Sequence, residues 1–270
     1  MTETFDAGWL AMREPVDHRS RAPKLLEPLR AWWRARRAAA VLDLGSGTGS
    51  NVRYLAGKLP GLQRWTVVDH DPGLLGRVGG RDEGLQLRRV VGDLASKGLA
   101  EVGGADLVTA SALLDLVSAD WLRALAQACT SNGSAVLFAL TYDGTMTWGG
   151  TVDPTDALVR DAINEHQRRD KGIGPALGPD AARVADELFR QQGYSTWLLA
   201  SPWLLGPTDA PLSRALIDGW VGAALEMRPH QAEPIREWGL RRREDASRED
   251  FALSVGHLDL LALPPERRGT

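Results

Sequence analysis

The chain has 270 residues, of which 43% are hydrophobic and 25% charged, with a net charge of −3 and a single cysteine. This length can bury a sizeable core in one large domain, or in one domain with an elaborated cap. The slightly acidic balance argues against nucleic acid as the main partner, and no apolar run approaches the roughly 18 residues of a membrane helix. Since the chain shows no signal-like pattern and no Cys/His cluster with zinc spacing, we expect a cytoplasmic protein without a metal or a membrane partner.

Short apolar runs alternate with helical patterns along the chain. A stretch of interleaved charges and tryptophans, Arg13–Arg37, is predicted to form one or two helices. Five predicted strands follow, with helices such as Ser50–Lys58 and Asp120–Cys129 between them: Ala40–Leu44, Trp65–Asp69, Leu87–Val91, Leu107–Ala110 and Ala135–Leu140. These strands are apolar without alternation, which is typical of a parallel sheet covered by helices on both faces.

The second half adds helices at Thr151–Lys171, Ala210–Glu226 and Glu233–Arg243, and strands at Ser195–Ala200 and Ser254–Pro264. The predicted fold is α/β, with a doubly wound sheet of seven strands that is mostly parallel and has an antiparallel last strand. Helical caps come from the N-terminus and from insertions after strands five and six. We divide the chain into an N-terminal helical lid (1–37), a ligand-binding core (38–144) and a region of cap helices with the last two strands (145–270).

A glycine-rich turn follows the first strand in the sequence VLDLGSGTGSN, Val41–Asn51. A phosphate-binding P-loop is excluded because Asn51 stands where that motif has its lysine. A dinucleotide-binding turn has its third glycine where this chain has Ser50, so the spacing here is G-x-G-x-G instead. Asp43, just before the first glycine, would repel a pyrophosphate. It suits a ligand that carries an ammonium and a sulfonium, as S-adenosylmethionine does.

This stretch resembles motif I of the class I S-adenosylmethionine-dependent methyltransferases, whose pattern is acid-x-G-x-G-x-G, and their other motifs follow in order. Thr66–Leu75 resembles their second strand, whose terminal acid binds the ribose hydroxyls, and this implies that role for Asp69. Val90–Ser96 resembles their third motif, which implies that Asp93 meets the adenine amino group beside the backbone of Leu94. Two further segments resemble the fourth and fifth strands, Asp106–Leu116 and Gly133–Leu140.

The resemblance implies that residues 38–144 form a Rossmann-like core that binds S-adenosylmethionine. The residues expected at the cofactor belong to these motifs and to the end of the fourth strand: Asp43, Gly45, Ser46, Gly47, Gly49, Asn51, Asp69, His70, Asp93, Leu94 and Ser111. In addition, Arg13 or Arg21 of the lid is a candidate to pair with the cofactor's carboxylate, because arginine binds carboxylates through two hydrogen bonds. A solvated helical face is the alternative for these arginines.

These motifs do not identify the methyl acceptor. The tetrapeptide [DN]-P-P-[YFW], which in related enzymes holds an amino or amide nitrogen after strand four, is replaced by SALL at Ser111–Leu114. The acidic set of magnesium-dependent catechol methylation is also missing, so we expect no metal. The preferred interpretation is therefore a small-molecule acceptor that is methylated on an O, N or C atom. Asp115 or Tyr142, beyond the ends of strands four and five, is expected to orient it, although a helix N-cap is an alternative for Asp115.

Two other classes of function stay open. A NAD-dependent oxidoreductase would need Ser50 in place of the third glycine and would leave Asp93 unexplained. A catalytically silent protein of the same fold would bind the cofactor, or nothing, and act through a partner. Calorimetry with S-adenosylmethionine and NAD separates the cofactor classes. The sequence also leaves open whether the protein forms a homodimer.

Overall fold

The computed structural model describes residues 6–34, 39–79, 85–150 and 152–265. In these residues one sheet contains the strands β1 (Ala39–Leu44), β2 (Gln63–Asp69), β3 (Leu85–Val91), β4 (Leu107–Ser111), β5 (Ala135–Trp148), β6 (Ser195–Ala200), β7 (Trp203–Leu205) and β8 (Leu253–Leu263). The helices are α1 (Ala7–Ser20), α2 (Leu26–Trp33), α3 (Ser50–Leu55), α4 (Pro72–Leu75), α5 (Leu99–Glu101), α6 (Ala119–Asn132), α7 (Asp156–Gln167), α8 (Ala181–Gln191), α9 (Ala210–Met227) and α10 (Ala232–Asp245).

The strand order is β3-β2-β1-β4-β5-β8-β6, and the neighbours from β3 to β5 run parallel. β8 is antiparallel to both β5 and β6, so the expected doubly wound sheet with an antiparallel last strand is confirmed. The chain leaves β1 toward β2 on one side and later returns to β4 on the other. The switch point of the sheet therefore lies between β1 and β4, where open α/β sheets bind their ligands.

The predicted strand number of seven is wrong, because the structure has an eighth strand, β7. It spans only three residues, Trp203–Leu205, and pairs with the first residues of β8. Three residues after Pro202 are too few to give a strand pattern in the sequence. The predicted caps correspond to α7, which follows β5, and to α9 with α10, which follow β6 and β7.

Helices cover both faces of the sheet. On one face Phe138 and Phe189 belong to an apolar cluster with α6 and α8. On the other face Trp33 and Trp65 belong to a cluster with α2 and α3. A third cluster joins α7, α9 and α10 to β5 and β8. No helix in the described ranges is both long and apolar enough to span a membrane.

One buried carboxylate ties three distant segments to β8. Asp259 accepts hydrogen bonds from the backbone amides of Ala22 at 3.0 Å and Leu140 at 2.8 Å, and from the hydroxyl of Ser201 at 2.7 Å. The Nε atom of Arg21 lies 3.4 Å from the same carboxylate. Asp259 thus holds three segments together: the segment after α1, the irregular part of β5 and the turn between β6 and β7.

Candidate functional site

A cleft of about 270 Å³ lies at the carboxyl ends of β1, β2 and β4, against α1. Most residues predicted at the cofactor line this cleft: Asp43, Gly45, Ser46, Gly47, Asn51, Asp69, His70, Asp93, Leu94, Ser111 and Arg13. Of the predicted set, Gly49 and Arg21 lie outside its lining. The parallel strands explain this convergence, because their carboxyl ends meet at one edge of the sheet.

The glycine turn is held to β2 and to the start of α3. The amide of Gly47 donates a hydrogen bond to the Asp69 carboxylate at 2.8 Å. At Gly49, where φ is +84°, a Cβ atom would lie 2.7 Å from Cγ1 of Val78 and 3.3 Å from its Cα. Both the positive φ and this close approach require glycine. Gly49 therefore positions the turn, whereas Gly45 and Gly47 form the wall of the cleft.

Asp43 is the most deeply buried acid of the cleft, with 1% of its surface exposed. Its Oδ1 accepts a hydrogen bond from the Asn51 amide at 2.7 Å, whereas its Oδ2 is buried and has no hydrogen-bond partner among the described residues. Burial raises the pKa of Asp43 to about 6, against the smaller effect of the Asn51 hydrogen bond. A cationic group that reached Oδ2 from the cleft would stabilise the ionised form.

The two candidate arginines already contact acids. Arg13 lines the cleft, and its guanidinium binds the buried Asp17 through two hydrogen bonds of 2.9 and 3.2 Å. Arg21 is 5% exposed and donates to Asn51 at 2.9 Å, and its guanidinium lies 4.4 Å over the Tyr54 ring. Arg21 thus contacts the cleft only through Asn51, which in turn binds Asp43.

The cleft also contains the carboxylates of Asp69 and Asp93. The Asp69 carboxylate accepts the amides of Gly47 and, at 3.0 Å, Asp71. Asp93 accepts hydrogen bonds from the amide and hydroxyl of Ser96 at 2.7 and 2.6 Å, and these bonds hold the pKa of Asp93 below its usual value. Each of these carboxylates is therefore fixed in orientation by neighbouring donors.

Helix α1 packs over the glycine turn. Nε2 of His18 lies 3.0 Å from the Ser50 carbonyl oxygen, and Nε of Arg53 donates to Glu14 at 2.7 Å. These contacts join α1 to α3, the helix that follows the turn. A ligand in the cleft would consequently be enclosed between the strand ends and α1.

A second cavity of about 500 Å³, which we call the chamber, adjoins the cleft. Arg13, Ala112, Leu116 and Lys171 line both spaces. Ala112 and another lining residue, Leu140, have positive φ values of 52° and 54°. Such backbone strain is concentrated at functional sites, and here it occurs after β4 and within β5, where the chain turns past the chamber.

Asp115 and Tyr142, the residues predicted to orient the acceptor, both line the chamber. Asp115 is buried in a 3₁₀ turn, and the N-cap of α6 is Ser118, so the helix-cap interpretation of Asp115 is wrong. The Tyr142 hydroxyl donates to Asn164 at 2.9 Å. Burial raises the pKa of Tyr142, so this hydroxyl keeps its proton near neutral pH.

Of the aromatic walls of the chamber, the sequence offers Trp203, which follows Pro202 in a loop-like segment, as a wall for a ligand, whereas Trp9, Trp220 and His257 were not found from the sequence. Trp9, Trp203, Trp220 and His257 line the chamber together with Tyr142. His257 stands opposite Tyr142 in the pairing of β8 with β5. A single sequence carries no signal for this register, and a histidine in the last strand is ordinarily a core residue. In the described part of the chain, no group of three or more acidic, His or Cys side chains could hold a metal ion.

A doubly wound sheet with a cleft at its switch point defines a Rossmann-like α/β protein with a ligand site at the strand ends. Residues 41–133 match the family model of a methyltransferase domain. The matched segment runs from β1 through α6 and includes the glycine turn, Asp69 and Asp93. It confirms the resemblance to the class I S-adenosylmethionine-dependent methyltransferases. No curated protein matches the chain.

The chain is also similar to several solved structures. A SAM-dependent methyltransferase from Geobacter sulfurreducens in complex with S-adenosyl-L-homocysteine is 17% identical, with 98% of this chain and 100% of that chain covered and a TM-score of 0.45. A SAM-dependent methyltransferase from Thiobacillus denitrificans, also in complex with S-adenosyl-L-homocysteine, is 18% identical, with 97% and 100% covered and a TM-score of 0.42.

Proposed function

We propose that the protein is an S-adenosylmethionine-dependent methyltransferase that acts on an O, N or C atom of a small-molecule acceptor. The observation that carries this proposal is Asp43, whose buried Oδ2 has no hydrogen-bond donor among the described residues and whose side chain lines the cleft. A cationic ligand group would stabilise this oxygen, and the cofactor carries an ammonium and a sulfonium. The pyrophosphate of NAD would be repelled by the same carboxylate.

The residues of the cleft fit this cofactor. Asp43 would take the ammonium group. Each carboxylate oxygen of Asp69 accepts one backbone amide and keeps a lone pair for a ribose hydroxyl. Asp93 and the backbone of Leu94 would meet the adenine, and the hydrogen bonds from Ser96 hold the Asp93 carboxylate in place for this. Arg13 would meet the carboxylate of the cofactor by sharing its donors with Asp17.

When bound, the cofactor supplies a methyl group on a positively charged sulfur. The chain has to hold the acceptor in line with that group and to exclude water. We assign this task to the chamber, which adjoins the cleft at Ala112 and Leu116. The protonated Tyr142 hydroxyl would orient the acceptor by hydrogen bonding, and Asp115 would contribute a carboxylate to the same wall.

Calorimetry with three ligands tests the cofactor assignment. Wild-type protein is expected to bind S-adenosylmethionine and S-adenosylhomocysteine but not NAD. Asp43→Asn removes the charge and keeps an oxygen near Asn51, and we expect it to weaken S-adenosylhomocysteine binding about tenfold or more, since hydrogen bonds to charged groups are worth about 1.5–3 kcal/mol. Binding of NAD alone would overturn the proposal.

A panel of small aromatic and aliphatic acceptors tests turnover. Methylation of any of them supports the enzyme, whereas cofactor binding without turnover across the panel favours the catalytically silent alternative. Asp115→Asn and Tyr142→Phe variants that both keep full turnover would remove the orienting role of these two residues. Three expectations stay predictions: the cytoplasmic location, the domain boundaries and the absence of a nucleic-acid partner. Whether the protein forms a homodimer stays open.

A further inference from the structure

His257 has one ring nitrogen engaged and the other available. Its Nδ1 lies 3.0 Å from the carbonyl oxygen of Val255. A carbonyl oxygen only accepts hydrogen bonds, so the neutral ring carries its proton on Nδ1 and a lone pair on Nε2. No residue in the described ranges donates to Nε2. The side chain is 6% exposed and lines the chamber, so a ligand there can meet it.

The surroundings keep this imidazole uncharged. Burial and, after it, the nearby charge of Arg13 lower the pKa of His257 to about 3, against the weaker opposing effects of the Val255 hydrogen bond and of Asp143. The Arg13 guanidinium lies 5.0 Å over the Trp203 ring, and the Trp203 and His257 rings are themselves 5.0 Å apart. An anion would find no protonated histidine to bind, and the Arg13 guanidinium, which also lines the chamber, is already bound to Asp17 through two hydrogen bonds.

Trp203 provides a second, independent polar group. Its Nε1–H is buried and has no acceptor among the described residues, although a buried indole N–H usually finds one. The Trp203 ring lines the chamber beside His257. A hydroxyl group is able to accept a hydrogen bond from an N–H and to donate one to a ring nitrogen at the same time.

The remaining walls favour a flat ligand. Trp9, Trp220 and Tyr142 add three aromatic side chains to those of Trp203 and His257. Aromatic side chains bind planar ligands by stacking and edge contacts and stabilise them by burying a large apolar area. A cavity of about 500 Å³ has room for a bicyclic compound next to the cleft.

We propose that the methyl acceptor is an uncharged aromatic compound with a hydroxyl group, and that His257 selects it by accepting a hydrogen bond from that hydroxyl. Trp203 donates a hydrogen bond to the oxygen of the same group. This assignment rests on the proposed methyltransferase function. It concerns recognition of the acceptor and adds His257 and Trp203 to the residues that contact it.

Matched ligands test the assignment by calorimetry on protein saturated with S-adenosylhomocysteine, where no methyl transfer occurs. The probes are 2-naphthol, 2-methoxynaphthalene, which lacks the donor, and 2-naphthoate, which is an anion. Wild-type protein is expected to bind 2-naphthol about tenfold more tightly than either of the others, because an unsatisfied buried acceptor costs a factor of this order. Equal affinities for 2-naphthol and 2-methoxynaphthalene would overturn the proposal, as would tighter binding of 2-naphthoate.

Variants then assign the preference to His257. In His257→Phe the two neutral compounds should bind within about twofold of each other, because the variant lacks the Nε2 acceptor. His257→Gln places an amide near the position of Nε2 and should keep part of the preference. His230→Phe, the same substitution at an exposed histidine outside the chamber, should keep all of it. A tenfold preference that survives in His257→Phe contradicts the assignment. If His257→Phe does not fold, the wild-type ligand series and His257→Gln test whether His257 causes the preference for 2-naphthol.

The binding of S-adenosylhomocysteine, measured first in the same experiments, separates this proposal from the proposed function. If the cofactor product does not bind, the methyltransferase proposal fails. If the product binds and none of the three aromatic compounds does, the methyltransferase proposal stands and the recognition role of His257 is overturned.

Discussion

At the scale of single residues, Asp43 combines burial with an incomplete set of hydrogen bonds. Burial raises the pKa of Asp43 in the folded protein to about 6, whereas the ordinary pKa of an aspartate is 3.8. Between these values the folded state binds more protons than the unfolded state. The contribution of Asp43 to stability is therefore fully present below about pH 4 and is lost as the pH rises through 6.

We predict that Asp43→Asn removes this pH dependence. From pH 4 to pH 7 the free energy of unfolding of the wild type should fall relative to that of the variant, by up to about 3 kcal/mol for two pKa units. Urea denaturation of both proteins at pH 4, 5, 6 and 7, without cofactor, measures this difference. Parallel curves for the two proteins would show that Asp43 does not titrate in this range.

Gly49 and Gly61 form a matched pair for the glycine turn, because their φ values are +84° and +82°. A Cβ at Gly61 would meet no atom within 4 Å, whereas at Gly49 it would meet Val78 at 2.7 Å. We predict that Gly61→Ala lowers the free energy of unfolding by about 1 kcal/mol, the cost of a left-handed residue with a side chain. Gly49→Ala should lower it by about 2 kcal/mol or more and also weaken cofactor binding.

Thermal and urea denaturation measure both alanine variants, with calorimetry for the cofactor. Equal losses of stability at the two positions would show that the Val78 side chain moves away from the new Cβ without lowering the stability further. An unchanged cofactor affinity in Gly49→Ala would show that the turn keeps its shape without this glycine.

The sequence predicts part of the candidate site well. Asp43, Gly45, Gly47, Asp69 and Asp93 follow strand ends, and parallel strands bring their ends to one edge of the sheet without further information. Arg21 was one of two candidates to pair with the cofactor's carboxylate, and it contacts Asn51 and Asp259. The direction of the Arg21 side chain depends on how the residues after α1 pack, and the local sequence pattern does not predict this packing.

The place of His257 in the chamber could not be predicted from the sequence, for a similar reason. Its place in the chamber follows from the register between β8 and the irregular part of β5, where Tyr142 pairs with His257 after a register shift. Such a shift displaces every later residue of the strand. The alternation of a single sequence cannot show where this happens.

At the scale of elements, one acid joins the cap helices α7 and α10. Asp156 at the start of α7 accepts hydrogen bonds from Nε1 of Trp238 at 2.8 Å and from Nε of Arg242 at 3.0 Å. Arg242 is 2% exposed, and its guanidinium lies 4.5 Å over the Trp148 ring. The loss of one partner from such a pair leaves a buried charge without full compensation.

We predict that Asp156→Asn lowers the free energy of unfolding by about 3 kcal/mol. Asp161→Asn is the control on the same helix, since Asp161 pairs with Arg160 at an exposed site, and it should change stability by less than about 0.5 kcal/mol. Urea denaturation of both variants measures the two changes in the free energy of unfolding. A similar small effect for both would show that Arg242 is satisfied without Asp156.

The elements themselves were predicted to different degrees. The strands β1 to β5 and the helices between them alternate regularly, and the predicted order agrees with the structure. β7 was missed because a three-residue strand is defined by its pairing with β8 and not by its own residues. The long extension of β5 to Trp148 was missed too, since Gly144 and the polar residues beyond Leu140 indicate a loop.

At the scale of the whole molecule, β8 lies between β5 and β6, and in the described sheet β6 and β7 pair with β8 alone. We predict that a chain ending at Asp250 is cut by protease within residues 195–245 while residues 39–79 and 85–140 stay protected. The full chain should resist cleavage in both regions under the same conditions. Mass spectrometry of the fragments identifies the cut sites, and equal resistance of β6 in both chains would contradict the prediction.

The position of β8 also sets an order of events during synthesis. The ribosome makes β6 and β7 before β8, the strand with which both pair in the described sheet, whereas β1 to β5 are able to pair with one another earlier. His257 and Asp259 arrive with that last strand. A nascent chain can therefore build the cleft early, but its chamber lacks the wall that contains His257 until β8 has been made.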